Sequence, residues 1–467
     1  MTNIAVIPID NRPVCYRLPV QIAELDKKNK IFMPDFSLMG SNKKNADTES
    51  LLNWLEGLNN IDIIVIALDA IAYGGLVSSR KNQDDYFEIK SRIERLKEIL
   101  NKKNSRVYAF SSIMRISNNN INDEEKEYWS EYGTKIFEYS YNIHKLEQTF
   151  KHTDLTSKYN AGNIPPDILN DYTKTRKRNF EINKYYIELK KQGIFDTLVF
   201  SKDDCAEFGF NVKEATELKE LSKGIKNIYI KTGADEIPLS LLSRALNRDK
   251  NIKIAPVYIN PDTIDKISKY EDISVKESVE SQIELAGAVV SEIDNCNLVL
   301  IVNNFKNEQG ELVMNVYEPG FNKELILPCK PYFIADILNA NGADNNFVEA
   351  LFKQDFLKNF YGYSAWNTSG NTLGSAIAVA ITYFCAREAN KQMFYNLQLT
   401  RFLDDWAYQA NVRGKIRSCN ENLSNNVIKK EMKNFEQILA EKFSVQNLEP
   451  AYAFPWNRFF EIKISIS

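Results

Sequence analysis

The sequence predicts an α/β protein in which a TIM-barrel-like parallel N-terminal domain is followed by a smaller Rossmann-like α/β domain and a helical tail. Three features support this prediction. Short apolar runs rich in β-branched residues recur, amphipathic segments separate them, and several of the runs end in polar residues. Continuous apolar runs are typical of parallel strands buried on both faces, and the amphipathic segments would supply the crossover helices.

The predicted strands alternate with helical segments along most of the chain. They cover residues 4–9, 31–34, 61–68, 106–113, 197–200, 227–230, 253–259, 298–302 and 332–334. A charged, aromatic stretch from 123 to 192 predicts long amphipathic helices, and the strand pattern restarts after Asn251. Because 467 residues exceed one ordinary core, we expect separate domains. We place a barrel-like domain that carries the site over 1–250, a Rossmann-like domain over 251–390 and a helical extension over 391–467.

The composition limits the partners and the compartment. The formal net charge is −3, so the chain lacks the basic footprint of a nucleic-acid-binding protein. No apolar run reaches membrane length, the N-terminus shows no export signal, and six cysteines occur without CxxC spacing. We expect a cytoplasmic protein with reduced thiols and neither a membrane nor a nucleic-acid partner. A homodimer stays open.

Histidine is scarce. His144 and His152 are the only two, and both lie in a charged stretch that predicts solvated helix positions. Their spacing is not the i, i+4 pairing of a helical zinc site. We therefore expect no histidine-based triad and no multi-histidine metal centre, and we assign general acid–base chemistry to Asp, Glu or Tyr. We expect no cofactor.

Polar residues follow the predicted strands at several places. Because the carboxyl ends of parallel strands meet at one edge of the fold, this placement predicts a catalytic rim. The alternative is that strand ends become polar where they meet solvent. The residues concerned are Asp10, Asp69, Arg115, the pair Asp203-Asp204, and the segment Gly233-Ala234-Asp235-Glu236.

The Gly233-Ala234-Asp235-Glu236 segment is the sharpest motif. Glycine allows a tight turn, and two neighbouring acids in one pocket cannot both ionise cheaply, so one of them can donate a proton. Alternatively, Asp235 caps the following helix and Glu236 interacts with its dipole. The Asp203-Asp204 pair follows the same logic, with helix capping and a solvated loop as the alternative.

Two further segments contain residues suited to binding. Asp69 precedes Tyr73 and two glycines, a turn that suits an anion or a carbonyl held by backbone N–H groups, although it matches neither nucleotide-binding glycine pattern. Trp366, Asn367 and Asn371 combine an aromatic ring with amides ahead of an apolar helix. Such a set could stack on a sugar, or it could simply be a helix N-terminus rich in capping residues.

The ordered set of motifs resembles a bacterial family catalogued as domain of unknown function 4127. The resemblance extends over nearly the whole chain and implies no established activity. It rests on IPIDNRPV at 7–14, LDAIAYGGLVSSR at 68–80, IMRIS at 113–117, KDDCAEFGF at 202–210, TGADEIPLSLLSRALN at 232–247, ANGAD at 340–344, WNTSGNTLG at 366–374 and FPWNRFFE at 454–461.

A local resemblance has mechanistic content. The GADE segment is similar to the Gly-Asp-Glu segment of family 20 β-N-acetylhexosaminidases, and the Asp203-Asp204 loop is similar to the twin aspartates of O-GlcNAcase-type enzymes. In both groups the substrate's acetamido oxygen attacks the anomeric carbon. The resemblance implies that Asp235 orients the acetamido group and Glu236 protonates the leaving oxygen. The chain lacks the histidine that precedes the family 20 motif, and the segment follows about the sixth strand rather than an earlier one.

These observations predict an exo-acting glycoside hydrolase for N-acetylated sugars, whose partner is a small-molecule or oligosaccharide substrate. Glu236 or Asp204 would be the general acid, with Asp235 or Asp203 as its partner. A Mg²⁺- or Mn²⁺-dependent enzyme that uses the same carboxylates and a non-catalytic carbohydrate-binding protein are the alternatives. The expected substrate-binding residues are Asp10, Arg12, Asp69, Tyr73, Arg115, Trp366, Asn367 and Asn371.

Overall fold

The computed structural model describes residues 1–150, 163–203, 205–418 and 425–466. The chain forms two compact units, each built from more than one segment. The N-terminal unit comprises Thr2–Asn11 and Phe32–Pro238. The C-terminal unit comprises Met1, Arg12–Ile31 and Leu239–Ser467.

The secondary structure alternates between strands and helices, as the sequence predicts. The strands are β1 Thr2–Ile7, β2 Asn29–Phe32, β3 Ile63–Ala67, β4 Arg106–Ile113, β5 Thr197–Lys202, β6 Ile228–Thr232, β7 Lys253–Tyr258, β8 Val289–Val290, β9 Leu298–Asn303, β10 Gly310–Glu311, β11 Tyr332–Asp336, β12 Asn339–Ala340, β13 Phe360–Ser364, β14 Ala451–Ala453 and β15 Lys463–Ser465. The helices are α1 Pro13–Tyr16, α2 Leu18–Ala23, α3 Thr48–Gly57, α4 Leu68–Ala72, α5 Leu76–Lys81, α6 Tyr86–Asn101, α7 Trp129–Phe150, α8 Pro166–Lys191, α9 Phe210–Leu221, α10 Ile237–Leu246, α11 Val275–Leu285, α12 Asn345–Phe352, α13 Ser369–Phe384, α14 Lys391–Arg401, α15 Arg413–Ser418 and α16 Asn425–Lys442, with a π-helical segment over Phe402–Val412.

The first sheet has the strand order β2-β1-β3-β4-β5-β6. The pairs β1–β3, β3–β4, β4–β5 and β5–β6 are all parallel. β3 and β5 are buried along their whole lengths, as their continuous apolar runs predict. The parallel α/β architecture is thus confirmed.

The first sheet is open, so the structure does not show the closed barrel that the sequence predicts. Among the described strands β6 pairs with β5 alone, whereas a barrel requires every strand to be paired on both edges. The strand order is that of flavodoxin-type sheets, in which ligands bind outside the carboxyl ends of the first and third strands. Strand-length apolar runs predict parallel strands, but they do not distinguish an open sheet from a closed one.

The C-terminal unit contains a parallel sheet with the order β13-β11-β9-β7-β8. Counted along the unit, this order is 2-1-3-4-5 and not the Rossmann order 3-2-1-4-5-6, so the expected Rossmann-like topology is not confirmed. Side chains of β7, β9 and β11 form a core with α11 and α13; Ile254, Leu300, Phe333 and Ile377 are among its fully buried members.

The tail is helical, as expected, through α14, the π-helical segment, α15 and α16, and it ends in the antiparallel pair β14–β15. Over the described ranges, no helix combines the length and the apolar character that crossing a membrane requires.

The core of the C-terminal unit provides a first prediction. Phe333→Ala should lower the free energy of unfolding by about 3–5 kcal/mol, because a fully buried ring leaves a cavity. Val289→Ala, at a side chain that is 48% exposed, should change it by no more than about 0.5 kcal/mol. Urea denaturation measures both; equal losses would contradict this assignment of the core.

Candidate functional site

The carboxyl edge of the first sheet gathers most of the acids that the sequence singles out. Asp10 lies beyond β1, Asp69 lies in the first turn of α4 directly after β3, and Asp203 follows β5. Asp235 and Glu236 follow β6. Because the strands are parallel neighbours, all these residues lie at the same edge, as predicted.

The ends of β5 and β6 bring the two acidic segments side by side. Lys202 is in register with Thr232, and the Gly233 N–H donates to the Lys202 carbonyl at 2.8 Å. Asp203 and Gly233 therefore occupy adjacent positions just beyond the ends of β5 and β6. Neighbouring strands lie about 4.8 Å apart. Asp204 lies outside the described residues.

The turn at Gly233 has a conformation that depends on glycine. Its φ is +116°, and an added Cβ would lie 1.7 Å from Glu236 Oε1. The Glu236 side chain folds back over the turn, where Oε2 accepts the Ala234 N–H at 3.1 Å. Glu236 is completely buried and Asp235 nearly so. The missing Cβ thus creates the space that the Glu236 carboxylate occupies.

Arg115 joins Asp203 to two acids that the sequence analysis missed. Its guanidinium contacts Asp203 Oδ2 at 3.4 Å, Glu124 Oε2 at 3.0 Å and Glu125 Oε1 at 3.2 Å. The buried Arg80 also contacts Glu124 at 3.5 Å and Glu125 at 3.2 Å. Two cations thus face three carboxylates, so the network suits a neutral, hydroxyl-rich ligand better than an anion.

Glu124 and Glu125 escaped the sequence analysis because they lie in a charged run that resembles a solvated helix. A run of acids soon after the strand-end Arg115 is the signal that could have identified them.

Asp69 is a buried carboxyl group with an unusual proton affinity. Its Oδ2 accepts the Ser112 N–H at 2.8 Å. Burial raises the pKa of Asp69 to about 7, although the Ser112 hydrogen bonds and the charge of Arg80 act in the opposite direction. Asp69 and Tyr73 are both almost completely buried.

His144 is not the solvated helix residue that the sequence predicts. It is 4% exposed, and its Nδ1 accepts the Gly209 N–H at 3.0 Å, beyond the acidic Asp203 loop. Its ring also packs edge to face on Phe208. The many charged residues of α7 predict an exposed helix, although the face of α7 that carries His144 is buried. His152 lies outside the described residues.

The other predicted binding residues belong to the C-terminal unit. Arg12 lies over the Trp456 ring at 5.3 Å. Trp366 is only 7% exposed, and its Nε1 donates to Ser375 Oγ at 3.1 Å, so its ring is part of the packing around α13. Asn367 has a φ of +52°. Asn371 N donates to Thr368 Oγ1 at 3.3 Å, which is the helix-capping arrangement weighed as the alternative.

A second group of buried acids in the C-terminal unit was also missed. Asp336 ends β11 and accepts hydrogen bonds from Asn303 Nδ2 at 2.8 Å and Tyr363 Oη at 3.0 Å. Burial and the nearby Asp344 raise the pKa of Asp336 to about 7. Asp336 is a polar residue at the end of an apolar run, so the same strand-end rule could have found it.

Within the described residues, no group of three or more His, Cys, Asp or Glu side chains is arranged to hold a metal ion.

The Gly233 turn yields a second prediction. Gly233→Ala should lower the free energy of unfolding by more than about 1 kcal/mol, and by more than Gly193→Ala does. Only the Gly233 substitution forces the Glu236 carboxylate to move. Both glycines have positive φ values, and an added Cβ at Gly193 meets no atom within 4 Å. Urea midpoints of the two variants give the comparison, and equal shifts would argue against a packed Glu236.

The His144 contact yields a pH prediction. Burial lowers the pKa of His144, while Glu147 raises it and Lys213 lowers it further. The neutral ring therefore stabilises the fold above the unfolded pKa of about 6.5, and this contribution is lost as the pH falls through the lower folded value. His144→Gln should remove that component from a series of urea midpoints at decreasing pH. An identical pH profile for both proteins would contradict the role given to Nδ1.

The comparisons with known proteins identify the family. The family model described as "Protein of unknown function (DUF4127)" matches residues 4–465. No curated protein and no solved structure matches the chain, so the likeness to family 20 enzymes rests on the GADE segment alone. A match over nearly the whole length shows that the chain belongs to the DUF4127 family.

Proposed function

We propose that this protein is a glycoside hydrolase that uses the carboxyl groups at the ends of β5 and β6. The observation that carries the proposal is the register between Lys202 and Thr232, which starts both acidic segments at adjacent positions of one sheet edge. Glycosidases need two carboxyl groups near one glycosidic bond, and neighbouring strand ends supply such a pair.

The surroundings of the two segments suit different roles. Glu236 is fully buried, and the Ala234 N–H holds its carboxyl group through Oε2; we assign this carboxyl group the role of proton donor. Asp203 lies against the Arg115 guanidinium, an environment that suits a carboxylate acting as an orienting or basic group. Asp204 is the alternative acid. Asp235, the residue before Glu236, is the partner proposed for an N-acetylated substrate, and Asp203 is the alternative partner.

The charge balance favours a sugar as the ligand. Arg80 and Arg115 are both paired with Glu124 and Glu125, so the rim offers acceptors and compensated cations. Sugar hydroxyls donate to carboxylates and accept from guanidinium groups. A phosphate group would instead compete with carboxylates that already contact these cations.

The reaction follows from these roles for an N-acetylated sugar. The acetamido oxygen bonds to the anomeric carbon while the glycosidic C–O bond breaks, and Glu236 transfers its proton to the leaving oxygen. Asp235 accepts the acetamido N–H and holds that group in place. Water then adds to the anomeric carbon and breaks the bond to the acetamido oxygen, and Glu236 regains a proton from that water.

Substitution of the proposed acid tests this function. Glu236→Gln should lower kcat/KM on N-acetylhexosaminides with alkyl leaving groups by about 10²–10⁴-fold, because general acid catalysis contributes that much. The loss should be smaller for nitrophenyl glycosides, whose leaving oxygen needs little protonation. Glu98→Gln, at an exposed acid of α6, is the matched control and should leave activity unchanged.

Asp203→Asn and Asp204→Asn extend the same assay to the other acidic segment. Full turnover by both Glu236→Gln and Asp204→Asn on the hydrolysed substrate would rule out the proposal.

A further inference from the structure

Among the buried polar atoms of the N-terminal unit that lack a hydrogen-bond partner within the described residues, three belong to Asp69 and two tyrosines. They are Asp69 Oδ1, Tyr73 Oη and Tyr186 Oη. The three residues are 1%, 2% and 0% exposed, so bulk solvent does not reach these atoms. A buried polar group without a partner is costly, and native proteins rarely contain several of them together.

Hydrogen bonds place the three side chains in one part of the N-terminal unit. Asp69 and Tyr73 are four residues apart, and the Tyr73 N–H donates to the Asp69 carbonyl at 3.0 Å, which places both on one face of α4. Tyr186 lies on α8 three residues beyond Asn183, whose amide binds the carbonyl of Ser112, the residue whose N–H binds Asp69. Arg178 of α8 lies 5.4 Å from the Tyr73 ring centre and holds the helix against this turn.

The surrounding polar groups form a satisfied layer inside the core. Ser112 N–H donates to Asp69 Oδ2 at 2.8 Å. Asn183 of α8 donates through Nδ2 to the Ser112 carbonyl at 3.2 Å and accepts from Ser111 Oγ at 2.8 Å. These hydrogen bonds tie α8 to the end of β4 beside Asp69.

We propose that Asp69, Tyr73 and Tyr186 form an internal water site beside the end of β3, in which one water bridges all three side chains. A water molecule has two acceptor positions and two donor hydrogens, so it can accept from both phenols and donate to Asp69 Oδ1. This site is independent of the proposed glycosidase activity.

The water site can accommodate either protonation state of Asp69. A protonated Asp69 could donate from Oδ1 to this water, which could then accept from one phenol and donate to the other.

A double-mutant cycle tests the shared water. Tyr73→Phe and Tyr186→Phe should each raise the unfolding equilibrium constant about fivefold, the effect of losing one net hydrogen bond. The double variant should be less destabilised than the product of the two effects, because the first substitution already weakens the bridge. Urea denaturation at neutral pH gives all four values.

Tyr128→Phe is the matched control in the same unit. Tyr128 Oη donates directly to Asp171 Oδ2 at 2.9 Å, so its loss should be additive with that of Tyr73. Neutral or stabilising effects of the two single variants would overturn the proposal, because deleting an unpartnered hydroxyl removes a cost. Strict additivity between Tyr73→Phe and Tyr186→Phe would also overturn it.

A high-resolution crystal structure of the unaltered protein provides a readout that does not depend on how the variants fold. We expect density for one water within hydrogen-bonding distance of Asp69 Oδ1 and both phenol oxygens. A direct hydrogen bond between Asp69 and either tyrosine, or an empty space between them, would refute the site.

Discussion

The parallel register of the first sheet is the constraint on which the candidate site depends. Each strand runs in the same direction, so the residues that follow β3, β5 and β6 emerge at a single edge. A one-residue slip between β5 and β6 would separate Asp203 from the Gly233 turn and point alternate side chains to the other face of the sheet. The burial of β5 on both faces fixes that register, because its side chains pack along their whole length.

The sequence was sufficient to predict features that repeat locally. Apolar runs without alternation indicated β3 and β5, and acids directly after these runs indicated Asp69 and Asp203 at the sheet edge. The prediction of a closed barrel was not confirmed, and the reason is physical. Closure depends on which strand pairs with β6, and the local pattern of residues in β6 does not specify that strand. The strand order of the C-terminal unit escaped prediction for the same reason, since it is a property of long-range pairing.

The parts of the candidate site that the sequence did not predict depend on contacts between distant segments. Glu124 and Glu125 acquire their role only because Arg80 and Arg115 converge on them. His144 looks solvated in a charged helix, yet one face of α7 is buried where the ring meets Gly209. Trp366 looked like a binding platform because an aromatic ring beside amides suits sugars, but Ser375 draws its indole into the interior. Side-chain direction, more than residue type, separates these outcomes.

The contact between Glu271 and α13 has a consequence for what the C-terminal unit can recognise. The Gly370 N–H, at the positive end of a sixteen-residue helix, donates to Glu271 Oε1 at 2.7 Å. Helix ends of this kind attract the phosphates of nucleotides in many related sheets. Here the Glu271 carboxyl group of the same chain already occupies the helix end, so a phosphate ion from solution would compete with a group that is always present. An anion could bind to the Gly370 N–H only by displacing the Glu271 carboxyl group.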